Sequence, residues 1–172
     1  DATRVSDDYY WRDFSTRTNG GISQLTQRLL PADASLSWGA YDMSLSLRTL
    51  KWQVLQDVNA PIVPPYDRMP QIHWGYTPSS LPGGFDASVE ADYTDFRADR
   101  ALTGQPNARR SYAMAQFSRP FLAPGGFITP RVQFHATQYD FDSALTATGQ
   151  RTPSRTLPTF SLDSGLVFER DA

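Results

Sequence analysis

Residues Gly126–Phe141 alternate between apolar and polar side chains for most of their length. Every second side chain in the middle of this run is apolar, namely Ile128, Val132, Phe134 and Ala136. The positions between them are polar or charged, namely Thr129, Arg131, Gln133, His135 and Thr137. Because side chains alternate between the two faces of a β-strand, the pattern predicts a strand with one apolar face and one wet face. Such a strand is typical of a soluble barrel or sandwich, or of a membrane-spanning barrel.

Similar alternation recurs in six other segments, which predicts an all-β, antiparallel meander of about seven strands without a helix longer than one turn. These segments are residues 23–38, 41–55, 68–77, 84–96, 110–119 and 157–170. Pro31 predicts an edge, a bulge or a break in the first strand, because proline cannot donate to a β-ladder. The apolar phase of the second strand shifts between Arg48 and Leu50, which predicts a β-bulge with an extra residue there.

The composition excludes several classes of protein. A net charge of −2 argues against a nucleic-acid-binding domain, which normally carries a basic excess. No apolar run approaches the ~20 residues of a membrane helix, but a membrane-spanning strand needs only about 9–11 residues and one apolar face. The chain contains no cysteine, so neither a disulfide framework nor a thiolate metal site is possible within it.

The polar residues form no recognisable catalytic pattern. His73 and His135 lie in different predicted strands, and neither has a carboxylate or a second histidine at ligand spacing. Ser164 lies in the sequence Asp-Ser-Gly-Leu, which lacks the frame and the strand–turn–helix context of a serine nucleophile. We therefore expect no catalytic, cofactor-binding or metal-binding residue, and no enzyme activity.

The connections between the predicted strands alternate between short and long. Residues 39–40, 78–83 and 120–125 form the short connections, and residues 56–67, 97–109 and 142–156 form the long ones. This order places all short turns at one end of the sheet and all long loops at the other. Transmembrane β-barrels have this arrangement, with short periplasmic turns and longer extracellular loops. On this interpretation residues 1–20 form an extracellular loop, and residues 21–172 form the strands.

On the membrane interpretation, the polar face of the sheet contacts water and the apolar face contacts lipid. We expect a water-filled lumen to be lined by Asp86, Ser88, Glu90, Asp92, Arg131, Gln133 and His135. We expect lipid to contact Phe85, Val89, Tyr93, Val132 and Phe134. Aromatic girdles are predicted at the outer end from Tyr139 and Phe141, and at the inner end from Trp38, Tyr41, Phe121 and Phe127. The same polar faces would suit the solvated outside of a soluble sheet, and the order of the loops favours the membrane.

Three stretches resemble one protein family. Residues 157–170 (LPTFSLDSGLVFER) resemble the segment of the LptD family, lipopolysaccharide-assembly outer-membrane proteins, that ends in Phe-Glu-Arg. Residues 5–14 (VSDDYYWRDF) are similar to that family's Ser-Asp-x-x-Tyr-x-x-Asp-Phe loop. Residues 128–131 (ITPR) and 136–139 (ATQY) resemble a strand in the middle of its barrel. The three matches follow the family's order and span nearly the whole chain.

The resemblance implies a large barrel in the outer membrane of a Gram-negative bacterium, with a non-enzymatic role. Such a barrel surrounds a plug lipoprotein, LptE, and receives lipopolysaccharide from periplasmic Lpt bridge proteins for insertion into the outer leaflet, among outer-membrane lipid. The sequence lacks the family's N-terminal periplasmic domain, its cysteines and its first and last barrel strands. We therefore expect residues 1–172 to be a partial, open section of the C-terminal barrel domain. The alternatives are a small outer-membrane barrel with a structural or adhesion role, and a soluble ligand-binding β-barrel.

Overall fold

The computed structural model describes residues 29–55, 62–145 and 148–168. Eight strands make up nearly all of this part of the chain: β1 (Leu29–Ala40), β2 (Met43–Val54), β3 (Asp67–Tyr76), β4 (Asp86–Arg97), β5 (Ala108–Ser118), β6 (Phe121–Ala123), β7 (Gly126–Phe141) and β8 (Ser154–Leu166). The helix α1 (Arg100–Thr103) is a single turn between β4 and β5. The described residues contain no helix that is long and apolar enough to cross a membrane.

The strands form one open antiparallel sheet in which each long strand pairs with the next along the chain. The order across the sheet is β1, β2, β3, β4, β5, β7 and β8. The short strand β6 pairs with residues 126–128 of β7, and β5 pairs with residues 131–141. Because β8 occupies the other edge of β7, β6 continues the line of β5 after the break at Pro120. The predicted open antiparallel meander is confirmed, with β6 as an additional short strand.

The bounds of the predicted strands agree with the structure to within a few residues wherever the structure describes them. For β7 the agreement is complete. The prediction of a turn at residues 39–40 was wrong, because Gly39 and Ala40 pair with Ser44 and Met43 in the ladder. The turn is formed instead by residues 41–42, and Tyr41 takes a left-handed conformation with φ of 52°. The predicted extracellular loop of residues 1–20 lies outside the described residues.

One predicted irregularity is present in a modified form. Pro31 lies within β1 and pairs with Trp52 in an unbroken ladder with β2, so the described residues show neither a bulge nor a break there. The register between β2 and β3 shifts between Arg48 and Leu50 as predicted. The extra residue, however, belongs to β3, because three steps from Arg68 to Gln71 oppose two steps on both neighbouring strands. Leu50 therefore stays on the same face as Arg48, where the sequence pattern had suggested a change of face.

The two faces of the sheet differ in chemistry and in exposure. Cross-strand partners share a face, and one face joins apolar side chains across all the long strands, for example Leu47, Ile72 and Tyr93 in one row. Many of these side chains are exposed, including Phe134 at 50% and Phe160 at 68%. On the opposite, polar face Asp92 is only 7% exposed and Thr94 is fully buried. Burial is thus the inverse of that in a soluble sheet, whose apolar face is covered.

Candidate functional site

The register places all seven predicted lumen residues on the polar face. Asp86, Ser88, Glu90 and Asp92 lie on β4, and Arg131, Gln133 and His135 lie on β7, with β5 between the two strands. Three rows connect them across β5: Asp86–Ser118–Arg131, Ser88–Gln116–Gln133 and Glu90–Met114–His135. The structure therefore brings the seven residues to one surface, although the width of β5 keeps most of them out of direct contact.

Asp92 is the centre of a hydrogen-bonded cluster on this face. Its carboxylate accepts hydrogen bonds from Gln71 Nε2 at 2.9 Å, from Thr94 Oγ1 at 2.8 Å and from Arg110 Nη2 at 2.8 Å. The Arg110 guanidinium also lies over the ring of Phe96, with 5.5 Å between Cζ and the ring centroid. Because Asp92 is buried, its negative charge requires this set of donors and the paired cation. The cluster links β3, β4 and β5 through side chains.

Three further contacts extend the polar network towards β7. The hydroxyl of Tyr112 donates to Glu90 Oε1 at 2.9 Å, and its ring meets His135 edge-on at 5.9 Å between centroids. Gln133 Nε2 donates to Gln116 Oε1 at 2.6 Å. A separate ion pair joins Arg48 to Asp33 through both carboxylate oxygens.

The sequence interpretation missed several members of this network, namely Gln71, Thr94, Arg110, Tyr112 and Gln116. The period of two that selected Asp86 and Asp92 would have found the three on β5, because they alternate with Ala113, Ala115 and Phe117.

The polar face changes character at the end of the sheet that carries the long loops. Phe96, Ala108 and Phe141 form a row there, and the ring of Tyr66 meets Phe96 edge-on at 6.0 Å. Leu50 and Ala108 are two of the three buried apolar residues among those described. This apolar cluster was not predicted, because the residues that form it come from four separate strands and a loop.

Side chains and backbone also tie the three long loops to one another. Tyr66 donates through its hydroxyl to the Pro106 carbonyl at 2.9 Å, which joins the β2–β3 loop to the β4–β5 loop. The β4–β5 loop meets the β7–β8 loop through Arg100 Nη2 and Asp142 Oδ2 at 2.5 Å, and through Asp142 N and Asn107 O at 3.1 Å. Burial, and to a smaller extent the charge of Asp142, raises the pKa of Tyr66. The three loops therefore form one connected cap.

Of the predicted lipid-facing residues, Val89, Tyr93, Val132 and Phe134 all lie on the apolar face. Phe85 lies in the connection that precedes β4. At the short-turn end this face is rich in exposed aromatic rings, namely Trp38, Tyr76, Phe117 and Phe121. At the long-loop end it finishes in a charged row, Asp95, Arg109 and Asp140.

Part of the predicted aromatic girdles was wrong. Tyr139 pairs with Arg110 and Phe141 with Ala108, so both rings lie on the polar face, where they stack at 5.9 Å. Phe127 shares the face of Arg131 for the same reason, since both occupy odd positions of β7. The sequence pattern had extended the girdle to these residues without following the alternation through to the end of the strand.

The polar face offers charge and hydrogen bonds. No group of three or more His, Cys, Asp or Glu side chains suited to a metal ion occurs in residues 29–55, 62–145 and 148–168. The carboxylates that the network contains are already occupied by donors of the protein. This surface is suited to contact with water or with a polar partner.

Comparison with known proteins gives one consistent family. The profile of the family LptD, LPS transport system D, matches residues 1–172. The chain is 91% identical over its whole length to the LPS-assembly protein LptD of Paracidovorax citrulli, of which it covers 21%. It is 74% identical to that of Acidovorax sp. strain JS42, with 21% covered, and 34% identical to that of Bordetella parapertussis, with 22% covered. The chain thus spans about a fifth of the length of these relatives.

Proposed function

Because the chain belongs to the LptD family, LPS transport system D, we propose that it is a section of the wall of an outer-membrane β-barrel that delivers lipopolysaccharide to the outer leaflet. In this role the segment catalyses no reaction. Its apolar face contacts membrane lipid, and its polar face lines the lumen. The relatives are named for LPS assembly, which supports the role in lipopolysaccharide transport.

The single observation that carries the proposal is the inverse burial of the two faces. A continuous apolar surface is exposed, whereas Asp92 and Thr94 are buried on the polar side. A soluble barrel would bury its apolar side chains in the interior. An apolar surface as large as the one seen here would favour aggregation if it were exposed to water. A transmembrane barrel has its apolar side chains outside and its polar side chains inside. The order of short turns and long loops supports the same orientation.

The height of the apolar surface fits a membrane. It extends from Phe85, immediately before β4, to Tyr93 on β4, and the charged row that includes Asp95 follows. Eight steps at about 3.3 Å per residue give about 26 Å along the strand. At a strand tilt of about 40° this corresponds to about 20 Å along the membrane normal, close to the ~25 Å apolar band of outer-membrane barrels.

We further propose that a plug lipoprotein contacts the polar face in its short-turn half. The long-loop half carries the apolar cluster around Phe96, on which Tyr66 packs, and contacts of Tyr66 and Asp142 tie the loops together at its end. In the other half Asp86 and Arg131 are exposed and remain open to a partner. These two side chains carry opposite charges, which suits a polar rather than an apolar partner surface.

Spin labels on neighbouring residues of β7 test the orientation of the faces. We would replace Phe134 and, separately, Gln133 by cysteine in the complete protein, without other reactive thiols, and attach a nitroxide label after reconstitution into lipid vesicles. The label at residue 134 is expected to be relaxed by oxygen, which concentrates in lipid. The label at residue 133 is expected to be relaxed by a water-soluble nickel chelate.

The comparison has an internal control, because the two positions are adjacent in sequence and lie at the same height. If the label at residue 134 responded to the nickel chelate and the label at residue 133 did not, the wall proposal would be wrong and a soluble barrel would be favoured. Equal responses to the chelate at both positions would also contradict it.

A further inference from the structure

Arg119 lies between two aromatic rings at the short-turn end of the apolar face. Its guanidinium carbon is 5.0 Å from the ring centroid of Phe85 and 4.7 Å from that of Phe121. The side chain is exposed, and its backbone N–H donates to the Pro130 carbonyl at 3.2 Å. The backbone bond and the two rings therefore hold the position of the charge, because cations are attracted to the faces of aromatic rings.

This guanidinium has no acidic partner in the part of the chain that the structure describes. Four other arginines, Arg48, Arg97, Arg100 and Arg110, each pair with a nearby aspartate. The rings of Phe85 and Phe121 cover part of the guanidinium, while its exposed N–H groups remain available as donors. A planar guanidinium with free donors is well matched to a phosphate.

Arg119 lies at one end of the apolar face, among exposed aromatic rings. Arg119 follows Phe117 on the apolar face, at the end opposite the charged row of Asp95, Arg109 and Asp140. Exposed aromatic side chains surround this end, among them Trp38 and Tyr76. Aromatic residues mark the boundary between hydrocarbon and headgroups in membrane proteins. On the proposed function, Arg119 is thus at the level of the lipid headgroups.

We propose that Arg119, with Phe85 and Phe121, forms a binding site for the phosphate of a phospholipid headgroup at the short-turn boundary of the membrane. The guanidinium donates to the phosphate oxygens, and the two rings contact the glycerol and the first carbons of the acyl chains. The inference rests on the proposed function, because it requires the apolar face to be in lipid. It adds a defined lipid site to a surface that would otherwise contact lipid without selectivity.

Native mass spectrometry of the complete protein in detergent, titrated with phosphatidylglycerol, tests the site. The variant Arg119→Gln is expected to bind the tightest phosphatidylglycerol about tenfold more weakly, which is the loss of one charge-assisted contact. Arg131→Gln is the matched control, because it removes the same charge at the same height from the polar face. It is expected to leave binding unchanged. Arg119→Lys, which keeps the charge but not the planar set of donors, is expected to bind with an affinity between those of the original protein and Arg119→Gln.

Two ligands identify the chemistry that is recognised. Diacylglycerol, which has acyl chains and no phosphate, is expected to bind the original protein and Arg119→Gln equally. Inorganic phosphate at millimolar concentration is expected not to displace phosphatidylglycerol. Displacement would overturn the lipid assignment in favour of a free phosphate. Equal weakening by Arg119→Gln and Arg131→Gln would overturn the site, because it would show general electrostatic attraction only.

The spin-label experiment on residue 134 separates the two proposals. If that label is in lipid and Arg119→Gln binds phosphatidylglycerol like the original protein, the lipid site is wrong and the wall proposal stands. If that label is in water, the wall proposal fails and the lipid site fails with it. A folded sheet in Arg119→Gln, checked by circular dichroism, ensures that a loss of binding reports on the site.

Discussion

Replacing Asp92 by alanine should locally destabilise the centre of the sheet. The change removes the acceptor of Gln71, Thr94 and Arg110, which lie on three adjacent strands. It also leaves the positive charge of Arg110 without its partner. Arg110 Nε already has no hydrogen-bond partner among the described atoms, and the variant would also remove the carboxylate to which Arg110 Nη2 donates.

The size of the effect follows from burial. Removing one partner of a buried ion pair costs about 3–5 kcal/mol, because the remaining charge is uncompensated. The Arg110 side chain is 31% exposed, so water recovers part of this loss. We therefore expect about 2 kcal/mol, which corresponds to roughly a 30-fold increase in the local opening equilibrium.

Amide hydrogen exchange, followed by mass spectrometry on the complete protein in lipid, measures this opening directly. Peptides from β3, β4 and β5 are expected to exchange about 30-fold faster in Asp92→Ala, and peptides from β8 to remain unchanged. Asp86→Ala is the matched control on the same strand and face. Asp86 is exposed and has no side-chain partner in the part of the chain that the structure describes, so exchange in that variant should change less than about threefold.

The double variant Asp92→Ala with Arg110→Met separates charge from packing. Because it removes the uncompensated guanidinium, it should exchange more slowly than Asp92→Ala alone. If the double variant exchanged as fast as the single one, the stranded charge would not be the cause. If Asp92→Ala exchanged like the original protein, the cluster would contribute nothing measurable and the reasoning would be refuted.

Three further predictions concern the loops and the β7–β8 pair. Burial, and then the charge of Asp142, raises the pKa of Tyr66 above its ordinary value; docking of this loop should therefore persist up to about pH 10 and weaken as pH rises further. Hydrogen exchange in residues 62–66 should show this alkaline step, and Tyr66→Phe should lack it. Arg100→Ala should change loop exchange by less than about fivefold, since an exposed ion pair contributes under about 1 kcal/mol; a larger effect would contradict the exposed geometry. Gly165→Ala should destabilise β8 by about 1 kcal/mol, because the new Cβ would lie 2.5 Å from the edge of the partly exposed Phe127 ring, which has to shift; adding Phe127→Ala should restore stability, as measured by exchange in β8.

The alternation in the sequence predicted the strands and their faces, because side chains two residues apart on one strand lie on the same face. Gly126–Phe141 is an example, since its full extent and its polar side were evident from the residues alone. The face of Leu50 was not predictable from β2, because the extra residue that shifts the register lies in β3, near Pro70. The partners of Asp92 depend on the same register, which brings Gln71 opposite Thr94. The sequence of one strand shows which of its side chains share a face. Contacts between strands cannot be predicted from it, because they also depend on the register of the two strands.

The connected cap of the three long loops gives the sheet an uneven stiffness. Tyr66, Arg100 and Asp142 tie each long loop to the loop of the neighbouring hairpin, so the strand ends beneath them cannot separate without breaking these contacts. At the short-turn end Thr77 N donates to Asp42 O at 2.8 Å, and the Arg119 guanidinium lies over the rings of Phe85 and Phe121. We expect the strand ends to separate less readily at the long-loop end, where a half-buried ring and hydrogen bonds join all three loops, than at the end with short turns. A partner that wedges neighbouring strands apart would therefore meet less resistance from that end.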